Sequence, residues 1–530
     1  MAKTTGRTKK HLTEFGVGTA RGGISYIFGS LVRAFALFLL LIILARLLNP
    51  MLFGLYTLAI AFYGIIEVIA YFGIGTALRK RIPEAKKNEE IMAIITGGYI
   101  YSVAIGIVLA IVGFALSNYI AVNIYNNPAV GYLLQIASIT VIVDVLFNVG
   151  TSSLVGLIRN RDAAVSNVIY SISSLVFSPL LFLLGYGVAG ALIGLLIGYV
   201  VGAAISFWYL LKSISFKFVM PTRKIIDELT YFSIPVFVSN MSNIGATNFG
   251  ILFFGASLSV ALGASASASI LGNYGAAYKL GSFATVILSS ATFVLLPAFS
   301  HAFVNKKLSK RISAVYNGSL YYTMLFLLAA VAYAISVSVP LNALLFSYNY
   351  NSAPVYFAII ATGIAIGVIG TYAGTLLIGR GNVRRFMFYQ VIVAAVEIAS
   401  MILLIPSLGA IGLLISFYVI GPILSDILYS YVLAKKFSIS LRIMPLVRLF
   451  AASAFLCLIL LGVTLLLHQS RFTIAINAVI ALLIYPPILV LFKAVKKENL
   501  EFLMQISNKM HVIEVPAKHF ISYTMRFVKE

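Results

Sequence analysis

Six ionisable side chains stand inside long apolar runs: the cations Arg33 and Lys279 and the carboxylates Glu67, Asp144, Glu397 and Asp426. A charge held in hydrocarbon costs about 3 kcal/mol, so such residues face a polar cavity or pair with one another. A planar guanidinium can grip a phosphate through two parallel hydrogen bonds, whereas an ammonium acts as a point charge. A buried carboxylate can take up a proton or bind sodium. Two chemistries are therefore open: holding an anion, at Arg33 and Lys279, and coupling to an ion, at Asp144, Glu397 and Asp426. Asn240 and Asn243 add uncharged hydrogen-bonding groups to one further run.

Helical periodicity places these groups. Gly22, Ser25, Gly29, Arg33 and Ala36 form one small, polar stripe, with Arg33 on the least lipid-like face of its helix. Tyr56, Tyr63, Glu67 and Tyr71 share a face of the next helix, and Thr140, Asp144, Asn148 and Ser152 recur every fourth residue of another. Arg33 and Glu67 each stand 11 residues from the cytoplasmic end of their run, a depth of roughly 16 Å at 1.5 Å per residue. An Arg33–Glu67 ion pair and an Arg33 that meets phosphate are both compatible with that depth. Lys279, nearer an outer end, either contacts an anion or snorkels outward. The carboxylates either couple to H+ or Na+ or pair inside the bundle.

The background is that of a membrane protein: 530 residues, 61% hydrophobic and only 10% charged. Fourteen apolar runs reach spanning length, at about 23–48, 52–78, 91–117, 129–156, 163–185, 188–211, 229–255, 269–299, 312–339, 353–378, 385–405, 409–434, 443–467 and 473–493. The net charge of +23 is concentrated in alternate short loops, for example Arg79–Lys87, Lys212–Lys224 and Lys306–Arg311. That pattern predicts a multi-pass protein of the cell membrane with both termini cytoplasmic, and it argues against nucleic acid as partner. The first 20 residues lack a short apolar region before a cleavage site, so no cleaved signal peptide is expected. A single cysteine, Cys457, excludes an internal disulfide, and His11, His301, His468, His511 and His519 are scattered. No metal site, cofactor or catalytic constellation is expected, and the chain is not read as an enzyme. The 498–530 tail either lies on the cytoplasmic membrane surface or is disordered.

The chain also repeats itself. Gly54-Leu55-Tyr56 recurs as Gly272-Asn273-Tyr274, Arg159-Asn160 as Arg380 with Asn382, and Gly187/Gly190 as Gly409/Gly412, at offsets of 218, 221 and 222 residues. The duplicated unit is six helices, an even number, so the two copies share one orientation in the membrane. The expected architecture is all-α: a basic arm (1–22), an N-terminal six-helix lobe (23–211), a linker (212–228), a second lobe (229–434), two added helices (443–493) and a tail (494–530).

With these features assembled, the sequence resembles the Wzx-like polysaccharide biosynthesis flippases of the multidrug/oligosaccharidyl-lipid/polysaccharide exporter superfamily. The resemblance rests on Ala45-Arg46-Leu47-Leu48-Asn49-Pro50 with Phe53-Gly54-Leu55-Tyr56, on Phe72-Gly73-Ile74-Gly75, Gly156-Leu157-Ile158-Arg159 and Phe232-Ser233-Ile234-Pro235, and on Gly272-Asn273-Tyr274 with Tyr278-Lys279 and Leu296-Pro297. It implies two pseudo-symmetric lobes and a polyprenyl-(di)phosphate-linked oligosaccharide carried between leaflets by a monomer among membrane lipids. It also implies that cavity cations, here Arg33 and Lys279, meet the phosphates, with Glu67, Asn240 and Asn243 lining the same path. The alternative within that superfamily is an ion-coupled multidrug or organic-cation antiporter.

Overall fold

In the computed structural model the described residues are 2–214, 218–282, 285, 312–467, 470–507 and 514–527, and for 2–24 only the backbone is described. Among them every regular element is helical. Leu296-Pro297, Lys217, Lys306, Lys307, Lys310, Arg311, His301, His468 and His511 lie outside the described residues, as does the whole of 286–299. Eleven stretches are long and apolar enough to cross a membrane, or twelve when a pair bent by 41° counts as one. The stretch Asn160–Ser213 carries two of the fourteen expected spans, and the span expected at 269–299 is largely undescribed. Together these account for the difference.

The chain divides into two compact units, residues 1–275 with 401–413, and residues 276–400 with 414–530. The first contains α1 (Ala2–Leu47), α2 (Pro50–Tyr71), α3 (Ile74–Glu84), α4 (Asn88–Tyr119), α5 (Ala129–Gly156), α6 (Asn160–Leu181), α7 (Gly187–Ser213), α8 (Arg223–Asn240), α9 (Ala246–Leu262) and most of α10 (264–282). No proline interrupts the first 49 residues, and α1 runs through the stretch expected as a separate arm. Asn49 starts α2 by accepting the Leu52 N–H at 2.9 Å, with Pro50 at the first helical position, where a missing N–H costs nothing. The run expected to cross unbroken at 52–78 is instead interrupted at Phe72 (φ 43°) and Gly73 (φ 76°), where the left-handed backbone ends α2 and starts α3. The Ala/Ser/Gly stretch at 257–269 is helix broken only around Gly263.

Helices α6 and α7 form a hairpin. Gly185 and Gly187 adopt positive φ and reverse the chain. Beyond the turn, Gly194, Gly198 and Gly202 lie against Ser178, Ser174 and Tyr170 in turn, so closely that a Cβ would overlap its neighbour. Small residues at four-residue spacing let two membrane helices approach to backbone contact. The repeat has a physical form as well. Gly54 lies against Ala268 while Gly272 lies against Pro50, and Thr57 meets Gly275. Each contact maps onto its mate by the 218-residue offset, so α2 and α10 cross about a local two-fold.

The α8–α9 stretch is tied to α3 and α4. Arg81 pairs with Glu228, Lys80 lies 3.8 Å over the Phe232 ring, and Phe72 stacks on Phe237 at 4.7 Å. At the other end Tyr125 donates to the Leu252 carbonyl at 3.1 Å and Ser259 to that of Ile124 at 3.2 Å.

The second unit contains α11 (Ile312–Ser336), α12 (Ser338–Leu345), α13 (Ala353–Ile366), α14 (Val368–Gly379), most of α15 (Val383–Leu408), α17 (Gly421–Phe437), α18 (Ile443–Leu466) and α19 (Phe472–Leu491), with α16 (Ala410–Ile415) between α15 and α17. The tail forms α20 (Lys497–Ser507) and α21 (Glu514–Met525). Leu500 and Ile521 of these helices are buried in the core of this unit with Leu489, Ala494 and Val495.

Candidate functional site

Arg33 is where the sequence places a charge in the membrane, and the packing of α1 on α6 decides its neighbours. Gly29 lies against the Ala164 backbone, and one turn further on Arg33 reaches Asn167. The guanidinium donates to Asn167 Oδ1 at 2.7 Å. Asn167 is buried, and its amide nitrogen is spent on the Ala163 carbonyl at 3.0 Å, which leaves Oδ1 facing the arginine. The guanidinium also lies 5.1 Å from the Tyr170 ring centroid, in cation–π contact. Among the described residues no carboxylate is within ion-pairing distance of Arg33. The Arg33–Glu67 pair permitted by depth is therefore not formed; a neutral amide takes its place.

Asp144 on α5 is the acidic counterpart. Its carboxylate accepts from the Tyr63 hydroxyl at 2.5 Å and from the Tyr71 hydroxyl at 2.7 Å, one tyrosine on each oxygen. Tyr63, Glu67 and Tyr71 are spaced by four on α2 and so share a face. The Tyr199 hydroxyl is 3.0 Å from that of Tyr63, and its ring stacks on Tyr170 at 4.5 Å. Phe147 closes against both rings at 5.2 and 6.0 Å. Five helices, α1, α2, α5, α6 and α7, thus bring one cation, one carboxylate, one amide and four tyrosines into a single network. The carboxylate is fully hydrogen-bonded while buried, as a charge in a low dielectric must be. The arginine is stabilised by a dipole and a π-face and keeps its net charge.

Of the expected site residues, Arg33, Asp144 and Glu67 fall in or beside this network, Glu67 half-buried between the two tyrosines that hold Asp144. Asn240 and Asn243 sit at the join of α8 and a π-helical turn, Met241–Gly245, with Asn243 exposed and its carbonyl accepting from Thr247 at 2.9 Å. Lys279, half-buried, has its ammonium 5.7 Å from the Tyr278 ring and belongs to the second unit. Glu397 and Asp426 are in the second unit too. Asp426 accepts the Gly370 N–H at 2.5 Å. That N–H lies in the first turn of α14, freed by the 41° bend between α13 and α14. Glu397 lies against Gly421, at the start of α17. Asn167, Tyr170 and Tyr199 are functional candidates that sequence reasoning passed over. Their signal was Asn167 and Tyr170 three apart in an apolar run threaded with Ser166, Ser171, Ser174 and Ser178.

Comparison with known proteins fits this architecture. The polysaccharide biosynthesis protein family matches residues 19–303. No curated protein matches the chain. Among solved structures, an inward-facing multidrug resistance MATE family transporter of the MOP superfamily is similar at a TM-score of 0.66 and 17% identity, covering 75% of this chain and 93% of its own. The lipid II flippase MurJ, in an inward closed conformation, is similar at 0.65 and 16%, covering 90% and 98%. A MOP superfamily transporter from Pyrococcus furiosus, noted for the reversed polarity of its binding pocket, is similar at 0.56 and 18%, covering 78% and 94%. At these identities the likeness establishes a shared fold. The family match spans more than half of the 530 residues, so this multi-pass membrane protein belongs to the polysaccharide biosynthesis protein family.

Proposed function

We propose that the chain is a flippase that moves a polyprenyl-(di)phosphate-linked oligosaccharide from the cytoplasmic to the outer leaflet, exposing the Arg33 site alternately to the two sides. One observation carries the reading: a guanidinium at membrane depth, oriented by Asn167 and Tyr170, with its charge not cancelled by a bonded carboxylate. A phosphate head stripped of water loses several kcal/mol of hydration, and a preoriented planar cation is the side chain best suited to replace it. The family match and the fold shared with a lipid II flippase support the reading. No bond is made or broken in such a step, so the protein acts without catalysis. The lipid-linked sugar and the surrounding bilayer are its partners, a monomer in the cell membrane with cytoplasmic termini is the working form, and two six-helix lobes are its moving parts. Lys279 is the second candidate cation, and Asp144 is the candidate site for coupling to H+ or Na+.

A second reading rests on Asp144 itself. A carboxylate held by two tyrosines is also what an ion-coupled exporter of organic cations would use. Transport by the purified chain in liposomes separates the two. Movement of a lipid-linked oligosaccharide between leaflets, with no organic-cation exchange under an imposed proton or sodium gradient, is expected. Cation exchange with no movement of the lipid-linked sugar would overturn the proposal.

A further inference from the structure

A cavity of about 370 Å³ opens in the second unit, well away in sequence from the Arg33 network. It lies where α11, the start of α18 and the segment after α19 meet. Four cations line it, Arg442, Arg448, Lys493 and Lys496, against one carboxylate, Glu498. The volume falls within the small-molecule range of about 300–1,000 Å³.

The walls are fixed by hydrogen bonds among all three elements. Asn317 on α11 accepts the Arg442 N–H at 2.8 Å and donates to the Ser440 carbonyl at 3.0 Å. Tyr321 donates to the Ala494 carbonyl at 2.7 Å, and Arg448 to that of Lys493 at 3.2 Å. Lys493 itself sits at φ 51°. That left-handed position just past a helix is usually glycine, and a lysine there costs about 1 kcal/mol. Two helix N-termini also converge on the cavity: α18 begins at Ile443, next to Arg442, and α20 at Lys497, next to Lys496. The positive ends of the two helix dipoles add to the potential of the four cations.

The surroundings say what kind of anion this is for. Ile443, Met444 and Val447, on the opening turns of α18, and Leu491, at the end of α19, are large, apolar and 52–70% exposed. They make a lipid-facing surface adjoining a basic pocket, at the membrane end where the Lys/Arg-rich loops gather. We propose that this cavity binds the phosphate of an anionic membrane lipid, its acyl chains lying along the exposed faces of α18 and α19. The site is separate from the transport reading and stands or falls without it.

The test uses the full-length chain, delipidated in detergent and titrated with phosphatidylglycerol, phosphatidylcholine or inorganic phosphate, read by native mass spectrometry and thermal unfolding. Phosphatidylglycerol is expected to remain bound and to raise the unfolding temperature, with phosphatidylcholine and inorganic phosphate doing neither. Arg448→Gln with Lys493→Gln should weaken retention about tenfold or more. Because Arg448 also bonds the wall, Lys496→Gln is the second variant and should weaken retention with unfolding in the absence of lipid unchanged. Equal retention of phosphatidylglycerol by both variants and the parent, or equal binding of phosphatidylcholine, would overturn the site. An inorganic phosphate effect matching that of phosphatidylglycerol would overturn the lipid as its source.

Discussion

The two units carry buried carboxylates that do different work. In the first, Asp144 meets side chains from a neighbouring helix, Tyr63 and Tyr71, in a network that also holds Arg33. In the second, Asp426 answers a backbone N–H exposed by the break between α13 and α14. Glu397 instead lies beside Gly421, where the π-helical turn Ser416–Ile420 runs on into α17. An acid at a helix N-terminus is stabilised by the helix dipole and satisfies a donor that hydrocarbon cannot. The same residue type therefore serves a side-chain site in one unit and, at Asp426, mends an interrupted helix in the other. The lesson is that a carboxylate in an apolar run is not by itself a coupling site; what donates to it decides.

That contrast can be broken in order of effect. The largest is at Arg33. Arg33→Ala should slow leaflet-to-leaflet transport of a lipid-linked oligosaccharide about 10- to 100-fold, the worth of one charge-assisted contact. Asp144→Asn comes next. It exchanges an ionic acceptor of two tyrosine hydroxyls for a neutral amide, so destabilisation of about 1–3 kcal/mol is expected in denaturant unfolding, together with loss of any dependence of transport on a proton or sodium gradient. If the gradient dependence survives intact, Asp144 is structural like its counterparts. Asp426→Asn keeps an oxygen for Gly370 and should cost about 1 kcal/mol or less, with transport by the folded fraction unchanged; a transport defect in well-folded protein would erase the difference between the units. Asn167→Asp gives the sharpest change in charge: it retains the acceptor for Arg33 and neutralises it but loses the donor to the Ala163 carbonyl, so stability should fall by no more than about 1 kcal/mol while transport falls.

Much of this was legible in the sequence. The spans, the repeat and the placement of Arg33 and Asp144 on polar faces follow from periodicity, because a membrane imposes length and charge rules on each helix separately. Partners across helices were not legible. Asn167 is 134 residues from Arg33, and only the packing of α1 on α6 brings them together. Glu67 seemed the natural partner because depth alone was countable from sequence, and depth does not say which way a side chain turns. Tyr170 and Tyr199 were hidden because tyrosine in an apolar run is common at membrane interfaces. The role of Asp426 depended on the helix break at Gly367, and a glycine in a membrane helix does not announce a break. The packing of the tail was hidden because Leu500 and Ile521 lie too far apart in sequence to form one apolar stripe, yet both reach the core.

The account's central claim is that Arg33 meets the phosphate of the transported lipid with its charge. The most direct measurement is the rate of lipid-linked oligosaccharide movement in proteoliposomes for the parent, Arg33→Lys and Arg33→Gln, with unfolding temperature recorded for each. Glutamine keeps a neutral donor on a shorter stem, so the charge is lost while a polar side chain stays on that face of α1. The account predicts equal stabilities, partial transport with lysine and a loss of about tenfold or more with glutamine. Parental transport by well-folded Arg33→Gln would contradict it.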